Sequence, residues 1–313
     1  MVGPFGELPI LPVGTQIVTT RDLRGPAGGV RVPRGAVGIV LRAPADVQHA
    51  YWIRLVDGEE LSLHRDDLAT LARWQDAELG RSHALGGAAL FERVILRVVV
   101  GSRAYGLDVD TSDTDRRGVF LPPAELHWSL YGVPEQIDDE PGQATFWEIE
   151  KVVVMALKAN PNVLECLWSP LVETCTPLGR ELLAMRSSFL SRLVFQTYSG
   201  YVLSQFRKIA ADVRQHGEPK WKHVMHLLRL LDAGIGVLET GEVPVHVGNR
   251  RDRLLAVRRG EIAWPDIEAW RHELHARFTA AAATTPLPER PDYAAADAFL
   301  RRARRLALQP ELP

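Results

Sequence analysis

The chain has 313 residues, with 37 basic against 39 acidic side chains, a net charge of −2 and an apolar fraction of 46%. These values are typical of a globular protein and exclude disordered, collagen-like and disulfide-scaffold classes. No run approaches the ~18 apolar residues of a membrane span, and the N-terminus lacks a basic stretch followed by an apolar core, so we expect a cytoplasmic protein with no membrane partner. Cys166 and Cys175 form no C-x-x-C pair, which argues against a disulfide framework or a thiolate metal site.

Residues 1–75 alternate short β-rich runs with Gly, Pro and Asp-Gly turns. Four strands are predicted, at residues 15–20, 35–41, 51–56 and 60–64. This spacing is typical of a small antiparallel barrel, and the stretch resembles the SH3-like barrels appended to enzymes. Its eight basic side chains are matched by eight acidic ones, which favours an accessory domain over a nucleic-acid-binding one.

Residues 76–200, with 11 basic against 17 acidic side chains, contain the most informative stretch. An apolar strand at 94–100 leads into Gly101-Ser102, and about ten residues later Asp113-Thr114-Asp115 opens a second strand. Side chains i and i+2 of a strand share a face, so the two aspartates are expected to present their carboxylates side by side. Two carboxylates this close repel each other unless a cation lies between them.

The ordered combination of strand, Gly-Ser turn and D-x-D pair suggests nucleotidyl transfer. Divalent ions held by aspartate oxygens neutralise and bridge phosphates, and a Gly-Ser turn lets the backbone approach a phosphate closely. Alone, a D-x-D pair is more often a solvated strand edge, and a Gly-Ser dipeptide is more often an ordinary turn. Together they predict a nucleotide-contacting turn formed by Gly101, Ser102 and Arg103.

The stretch from Gly101 to Asp115 resembles the signature of the DNA polymerase beta nucleotidyltransferase superfamily. The longer run GSRAYGLDVDTSDTDRRGVFLPP is similar to predicted bacterial nucleotidyltransferases associated with RNA repair, and the likeness covers about residues 90–305. The resemblance implies an α/β (α+β) fold with a mixed sheet and flanking helices, and Mg²⁺ (or Mn²⁺) held by Asp113 and Asp115. It also implies transfer of a nucleoside monophosphate from a nucleoside triphosphate such as ATP to an acceptor hydroxyl.

The superfamily pattern has a third carboxylate on a later strand, where this sequence has Gln143. Four acidic residues nearby are candidates to replace it: Asp138, Asp139, Glu148 and Glu150. Residues 145–148 fit a helix capping box, in which Glu148 would serve the backbone instead. Because the third carboxylate is often also the general base, its loss favours a slow or silent member. The alternative to an enzyme is therefore a nucleotide- or RNA-binding module with the same fold.

Residues 201–313 are predicted as a helical substrate-binding region. In a helix at about 220–238, Lys222, His226 and Arg229 share the face opposite an apolar stripe and could grip a triphosphate tail, although a solvated face is the alternative. Glu165, in an apolar stretch, is interpreted first as a cap or the buried partner of an arginine, and second as a site residue. Arg-rich runs at 250–259 and 301–305 are interpreted as solvated faces or, alternatively, as the surface for an RNA or tRNA-like acceptor. The acceptor, the base used and the oligomeric state are left open.

Overall fold

The computed structural model describes residues 10–25, 29–44, 49–78, 90–110, 112–130 and 132–309. By its internal contacts the chain divides into two compact units, Met1–Leu85 and Gly86–Pro313. Within the described ranges, no helix combines the length and the apolar composition needed to cross a lipid bilayer.

The N-terminal unit contains seven described strands and one helix. The strands are β1 (Gln16–Thr19), β2 (Leu23–Arg24), β3 (Val30–Val32), β4 (Val37–Arg42), β5 (Tyr51–Leu55), β6 (Glu60–Leu63) and β7 (Leu68–Thr70), followed by helix α1 (Leu71–Glu78). Five of the strands form an antiparallel sheet with the order β6-β5-β4-β1-β7. In β5 the alternation predicted for a half-buried strand is observed, because Tyr51 and Ile53 are buried whereas Trp52 and Arg54 are exposed.

The predicted closed SH3-like barrel is not formed by the described strands. The strands β6 and β7 are the two edges of the sheet, and β2 pairs only with β3 in a separate ladder. The local strand predictions are therefore confirmed, but the sheet that they build is open.

The second unit contains a mixed five-stranded sheet with the order β10-β11-β9-β8-β12. Its strands are β8 (Val94–Val99), β9 (Arg116–Phe120), β10 (Gln136–Asp139), β11 (Ala144–Glu148) and β12 (Val172–Cys175). The strands β9 and β11 are parallel, and the other neighbours are antiparallel. The inner strand β8, between β9 and β12, is an almost uninterrupted run of apolar residues because both of its faces are covered. The mixed sheet expected from the sequence is confirmed.

Helices pack against this sheet and continue its apolar core to the end of the unit. The helix predicted at 220–238 is observed at Trp221–Thr240, and its apolar stripe, which contains Val224 and Leu228, is buried. The helices are α2 (Gly101–Tyr105), α3 (Ala124–Trp128), α4 (Ile149–Leu157), α5 (Pro161–Leu167), α6 (Pro177–Ala184), α7 (Leu193–His216), α8 (Trp221–Thr240), α9 (Arg251–Arg258), α10 (Trp264–Thr284) and α11 (Tyr293–Leu306).

The segment 145–148 is strand β11 and not the start of a helix, which corrects the predicted capping box. Helix α4 begins at Ile149, and Glu148 is its N-cap, accepting hydrogen bonds from the backbone N–H groups of Glu150 (2.7 Å) and Lys151 (3.4 Å). Glu148 therefore serves the backbone as expected, but from the capping position itself rather than from three residues into the helix.

Candidate active site

The turn after β8 is shaped by Gly101. Its φ of +70° lies in the left-handed region, and a Cβ placed on it would lie 2.9 Å from Oδ2 of Asp115. The short helix α2 begins at Gly101, and its second residue is the half-buried Ser102. Among the described residues the Ser102 hydroxyl has no hydrogen-bond partner. The left-handed φ favours glycine at this position, and the Asp115 carboxylate lies against the Gly-Ser turn.

Asp113 and Asp115 lie just before β9, which begins at Arg116, and not on the strand itself. The prediction that they open this strand and share one of its faces is therefore wrong, because regular pairing with β11 starts only at Arg116. The carbonyl of Asp115 accepts a hydrogen bond from Val100 N–H (2.9 Å), which extends the pairing of β8 with β9 by one step. Both side chains are exposed, and neither carboxylate makes a hydrogen bond or ion pair with any residue in the described ranges. The two carboxylates are thus free to bind a cation and are not held by arginines.

The fit to a divalent ion rests on these two oxygen donors. No group of three or more His, Cys, Asp or Glu side chains in the described parts of the chain is arranged to hold a metal ion. Mg²⁺ is commonly held by one or two carboxylates, with substrate phosphates and water completing the shell. Asp113 and Asp115 would supply the two carboxylates of that pattern, and the substrate phosphates and water would supply the remaining ligands.

Gln143 lies beside the carboxylate segment. In the parallel pairing of β9 with β11, Arg116 lies opposite Ala144. The N–H of Arg116 donates to the carbonyl of Gln143 at 2.9 Å. Asp115 and Gln143, the residues that directly precede these two strands, are therefore neighbours. Its φ of +48° is unusual for a residue other than glycine. The position where a third carboxylate was expected is therefore next to the site, occupied by an exposed amide.

The four candidate replacements each have other partners. Glu148 caps α4 and binds Arg304 at 2.6 Å. Asp138 accepts from Thr145 at 2.8 Å, and Asp139 from the Gly142 N–H at 3.2 Å. Arg304 also binds Glu150, at 3.0 Å. These contacts occupy only part of each carboxylate, so the replacement of the third carboxylate by one of these four residues stays a prediction.

Arg229, predicted to face a phosphate, is instead a buried structural cation. Its side chain is 9% exposed, donates to Oε1 of Glu165 at 2.7 Å and lies 3.7 Å from the ring centroid of Tyr105. The Tyr105 hydroxyl donates to the other Glu165 oxygen at 2.5 Å, which joins α2, α5 and α8. Burial and the Glu165 charge raise the pKa of Tyr105 well above its usual value, so it stays a donor. The first interpretation of Glu165, as the buried partner of an arginine, is confirmed.

His226 lies one turn before Arg229 on α8 and is neutral at physiological pH. Burial and the nearby cations Arg229 and Lys222 lower its pKa to about 3. Lys222, by contrast, is exposed. Of the three predicted phosphate-binding cations, only Lys222 is therefore both charged and accessible.

The lowered pKa of His226 predicts an acid-sensitive fold. In the unfolded chain this histidine binds a proton below about pH 6.5, whereas in the folded chain it stays neutral down to about pH 3, so acidification favours unfolding. His226→Gln should therefore weaken the loss of stability between pH 7 and pH 5 by about 1–2 kcal/mol. Urea unfolding at both pH values measures this. His275→Gln, on an exposed part of α10, is the control, and an equal effect of both variants would contradict the prediction.

Arginines around the site bind the protein itself. Arg103 donates to the carbonyl of Ser112 at 3.0 Å and spans the connecting loop. Arg251 donates to the carbonyl of Gly106 at 2.8 Å, and Arg258 to that of Leu107 at 3.3 Å. These contacts fix the loop after α2 against α9.

The two Arg-rich runs are not open cationic faces. Five further arginines in them have acidic partners: Arg250 with Asp232, Arg259 with Glu261, Arg301 with Asp297, Arg302 with Glu181, and Arg304 with Glu148 and Glu150. Because their charges are largely balanced, these runs give little support to an RNA-binding surface.

Sequence reasoning missed Arg116 and Glu173. The Arg116 guanidinium binds both Glu173 oxygens, at 3.0 and 2.9 Å, next to the aspartate segment. Arg116 lies within the motif, so its position was visible, but nothing in the sequence connects it to Glu173 on a strand 57 residues later.

A mixed sheet with flanking helices, in which the Asp115 carboxylate lies against the Gly-Ser turn, fits a protein of the nucleotidyltransferase-like class. The chain belongs to the RNA repair pathway DNA polymerase beta family (RlaP), whose sequence profile matches residues 64–302. The family identification made from the motifs is confirmed, and the match begins within the N-terminal unit rather than at about residue 90.

Two individual proteins are similar to this chain. An uncharacterized protein, YcgL, from Bacillus subtilis (strain 168) is 26% identical over 157 residues, which are 49% of this chain and 59% of YcgL. The alignment thus spans less than two thirds of that relative. A nucleotidyltransferase-like protein of known crystal structure from Exiguobacterium sibiricum 255-15 is 13% identical, with 75% of this chain and 80% of that chain covered and a TM-score of 0.25.

Proposed function

We propose that this protein is a Mg²⁺-dependent nucleotidyltransferase that moves a nucleoside monophosphate from a nucleoside triphosphate to an acceptor hydroxyl. The observation that supports the proposal best is the pair of carboxylates of Asp113 and Asp115, which have no partner among the described residues, with Asp115 in close contact with Gly101. Since no described side chain competes for them, these oxygens can be committed to a cation and its bound phosphates.

In this proposal Asp113 and Asp115 hold the divalent ion, Mg²⁺ or Mn²⁺. When bound, the ion would neutralise the charge that develops on the phosphates during transfer. The Ser102 hydroxyl, which has no hydrogen-bond partner among the described residues, is assigned to donate a hydrogen bond to a phosphate oxygen, and the backbone at Gly101 allows a close approach. Lys222 and Arg103 are the accessible cations assigned to the rest of the triphosphate.

We further propose an RNA end as the acceptor, an assignment supported by the name of the family. The activity is placed in the cytoplasm, as expected from the sequence. In this scheme residues 76–200 form the catalytic core, residues 201–313 bind substrate, and residues 1–75 form an accessory domain.

Incubation of the full chain with labelled nucleoside triphosphates, Mg²⁺ or Mn²⁺ and RNA tests this function. Label transfer to RNA with release of pyrophosphate, abolished by Asp113→Ala, is the expected result. Label on the protein itself would point to a side-chain acceptor. Absence of transfer with every triphosphate and both metals would overturn the proposal.

A second candidate function is a nucleotide- or RNA-binding module that has lost catalysis. Gln143 favours it, because an amide is a weaker metal ligand than a carboxylate and cannot accept the proton of an attacking hydroxyl. Triphosphate binding without pyrophosphate release would identify this function.

Gln143→Asp is expected to raise the affinity for Mn²⁺ by about tenfold or more, because a third carboxylate is placed beside Asp115. Aspartate also tolerates the left-handed backbone at this position better than most residues do. Isothermal titration with Mn²⁺ measures the change, and Gln143→Asn is the matched variant that keeps an uncharged amide. If the two variants bind Mn²⁺ equally, position 143 does not face the metal site.

A further inference from the structure

Arg116 is the first residue of β9 and directly follows the aspartate segment. Its Nε donates to both carboxylate oxygens of Glu173, at 3.0 and 2.9 Å. Its Nη1 donates to the backbone carbonyls of Thr114 and Gly142, each at 3.3 Å. One guanidinium therefore joins three separate segments of the chain beside the candidate site.

Each of these contacts fixes a part of the site. Thr114 lies between Asp113 and Asp115, and its carbonyl belongs to the peptide unit that joins Thr114 to Asp115, so a bond to this carbonyl restrains the backbone that leads into Asp115. Gly142 precedes Gln143, which neighbours Asp115 on the other side. Glu173 lies on the edge strand β12, so the guanidinium is anchored to the frame of the sheet.

The charge of Arg116 is paired with Glu173 and not with either aspartate. An arginine this close to Asp113 and Asp115 would be a natural ion-pair partner and would compete with a cation. Glu173 holds the guanidinium in a two-bond ion pair instead, and the two aspartates keep no ion-pair partner among the described residues. Glu173 thereby keeps the neighbouring positive charge from occupying the site.

Arginine is suited to this role in a way that lysine is not. The planar guanidinium has five N–H donors in a fixed fork and can serve a carboxylate and two carbonyls in different directions. A lysine ammonium is a single charged point on a flexible stem. It could pair with Glu173 without reaching both Thr114 and Gly142.

We propose that Arg116, oriented by Glu173, is a positioning residue that sets the geometry of the Asp113/Asp115 pair for metal binding. The inference rests on the proposed function as far as the metal is concerned. The restraint on the aspartate segment is a separate property of the chain and can be measured without any metal.

The test compares Arg116→Ala, Arg116→Lys and Glu173→Gln in the full chain. Arg302→Ala is the matched control, because it removes an arginine–glutamate ion pair that has no bond to the aspartate segment. Hydrogen exchange at the backbone amides of residues 100 and 116 measures how firmly the aspartate segment is held, since these amides donate to the carbonyls of Asp115 and Gln143. Electron paramagnetic resonance of free Mn²⁺ reports metal affinity.

Arg116→Ala should accelerate exchange at both amides and weaken Mn²⁺ binding about tenfold, as loss of a partner behind a ligand typically does. Arg116→Lys should recover thermal stability but only part of the Mn²⁺ affinity, which separates positioning from a purely structural role. Glu173→Gln keeps the size of the side chain and should also weaken Mn²⁺, because the released guanidinium can pair with the aspartates. Arg302→Ala should change neither exchange nor affinity.

Unchanged amide exchange in Arg116→Ala would overturn the proposal, as would faster exchange with full Mn²⁺ affinity. If Arg116→Ala does not fold, Arg116→Lys and Glu173→Gln decide by the same two measurements. A wild-type chain that binds no Mn²⁺ would overturn the proposed function and the metal-related part of this inference together. The exchange data would then still show whether Arg116 restrains the segment.

Discussion

Asp115→Asn is expected to lower the rate of nucleotidyl transfer by more than about 100-fold, or about 2.7 kcal/mol of transition-state stabilisation. The substitution keeps the size of the side chain but removes the negative charge that we assign to the divalent ion. Because the Asp115 side chain is exposed and has no internal partner among the described residues, the free energy of unfolding should change by no more than about 0.5 kcal/mol.

Transfer of label from a nucleoside triphosphate measures the rate of the Asp115→Asn variant, and urea unfolding measures its stability. Asp110→Asn is the matched control, since Asp110 is an exposed acidic residue in the preceding loop to which we assign no ligand role. Loss of activity in both variants would indicate a general charge effect. A rate close to that of the wild type in Asp115→Asn would remove this carboxylate from the proposed metal site.

Glu165→Ala is expected to destabilise the second unit by about 3–5 kcal/mol. The Arg229 guanidinium is buried, and without Glu165 it would remain as an uncompensated charge in the core. The Tyr105 hydroxyl would lose its acceptor at the same time. Because Tyr105 is the last residue of α2, we also expect weaker triphosphate binding at the Gly-Ser turn.

A double-mutant cycle separates the charge from the packing. Glu165→Leu combined with Arg229→Met removes both charges and should recover much of the stability lost in Glu165→Ala. Urea unfolding of the single and double variants measures the coupling. If the effects of Glu165→Leu and Arg229→Met on the free energy of unfolding simply add, the two side chains do not depend on each other.

Local patterns were sufficient for the strands and the long helices. The apolar run that forms β8 and the alternation of β5 identify strands because side-chain burial follows the period of the backbone. The period of 3.6 likewise located α8 and its buried stripe. By contrast, Phe146 and Trp147 fit a strand or a helix equally well in so short a run, and only the pairing of β11 with β9 decides between them.

Whether the N-terminal sheet closes into a barrel could not be predicted from these local patterns. Strand spacing predicts that Glu60–Leu63 and Leu68–Thr70 are extended, but not which neighbour each one binds. In the described residues β6 and β7 are left as the two edges of the sheet. Pairing depends on contacts between segments distant in sequence, which a strand's own residues do not encode.

The sequence by itself determined the family and the mixed sheet, because these features follow from local spacing and from a contiguous motif. The assignment of Asp113 and Asp115 to a metal site stays a prediction. Only the tertiary structure decided which polar side chains are free to bind a ligand. The helical period predicts which face of α8 carries Arg229, but it does not show that Glu165 from another helix forms an ion pair with Arg229 on that face. Similarly, Glu173 meets Arg116 only when β12 packs on the sheet, and that long-range contact pairs Arg116 with Glu173 instead of with either aspartate.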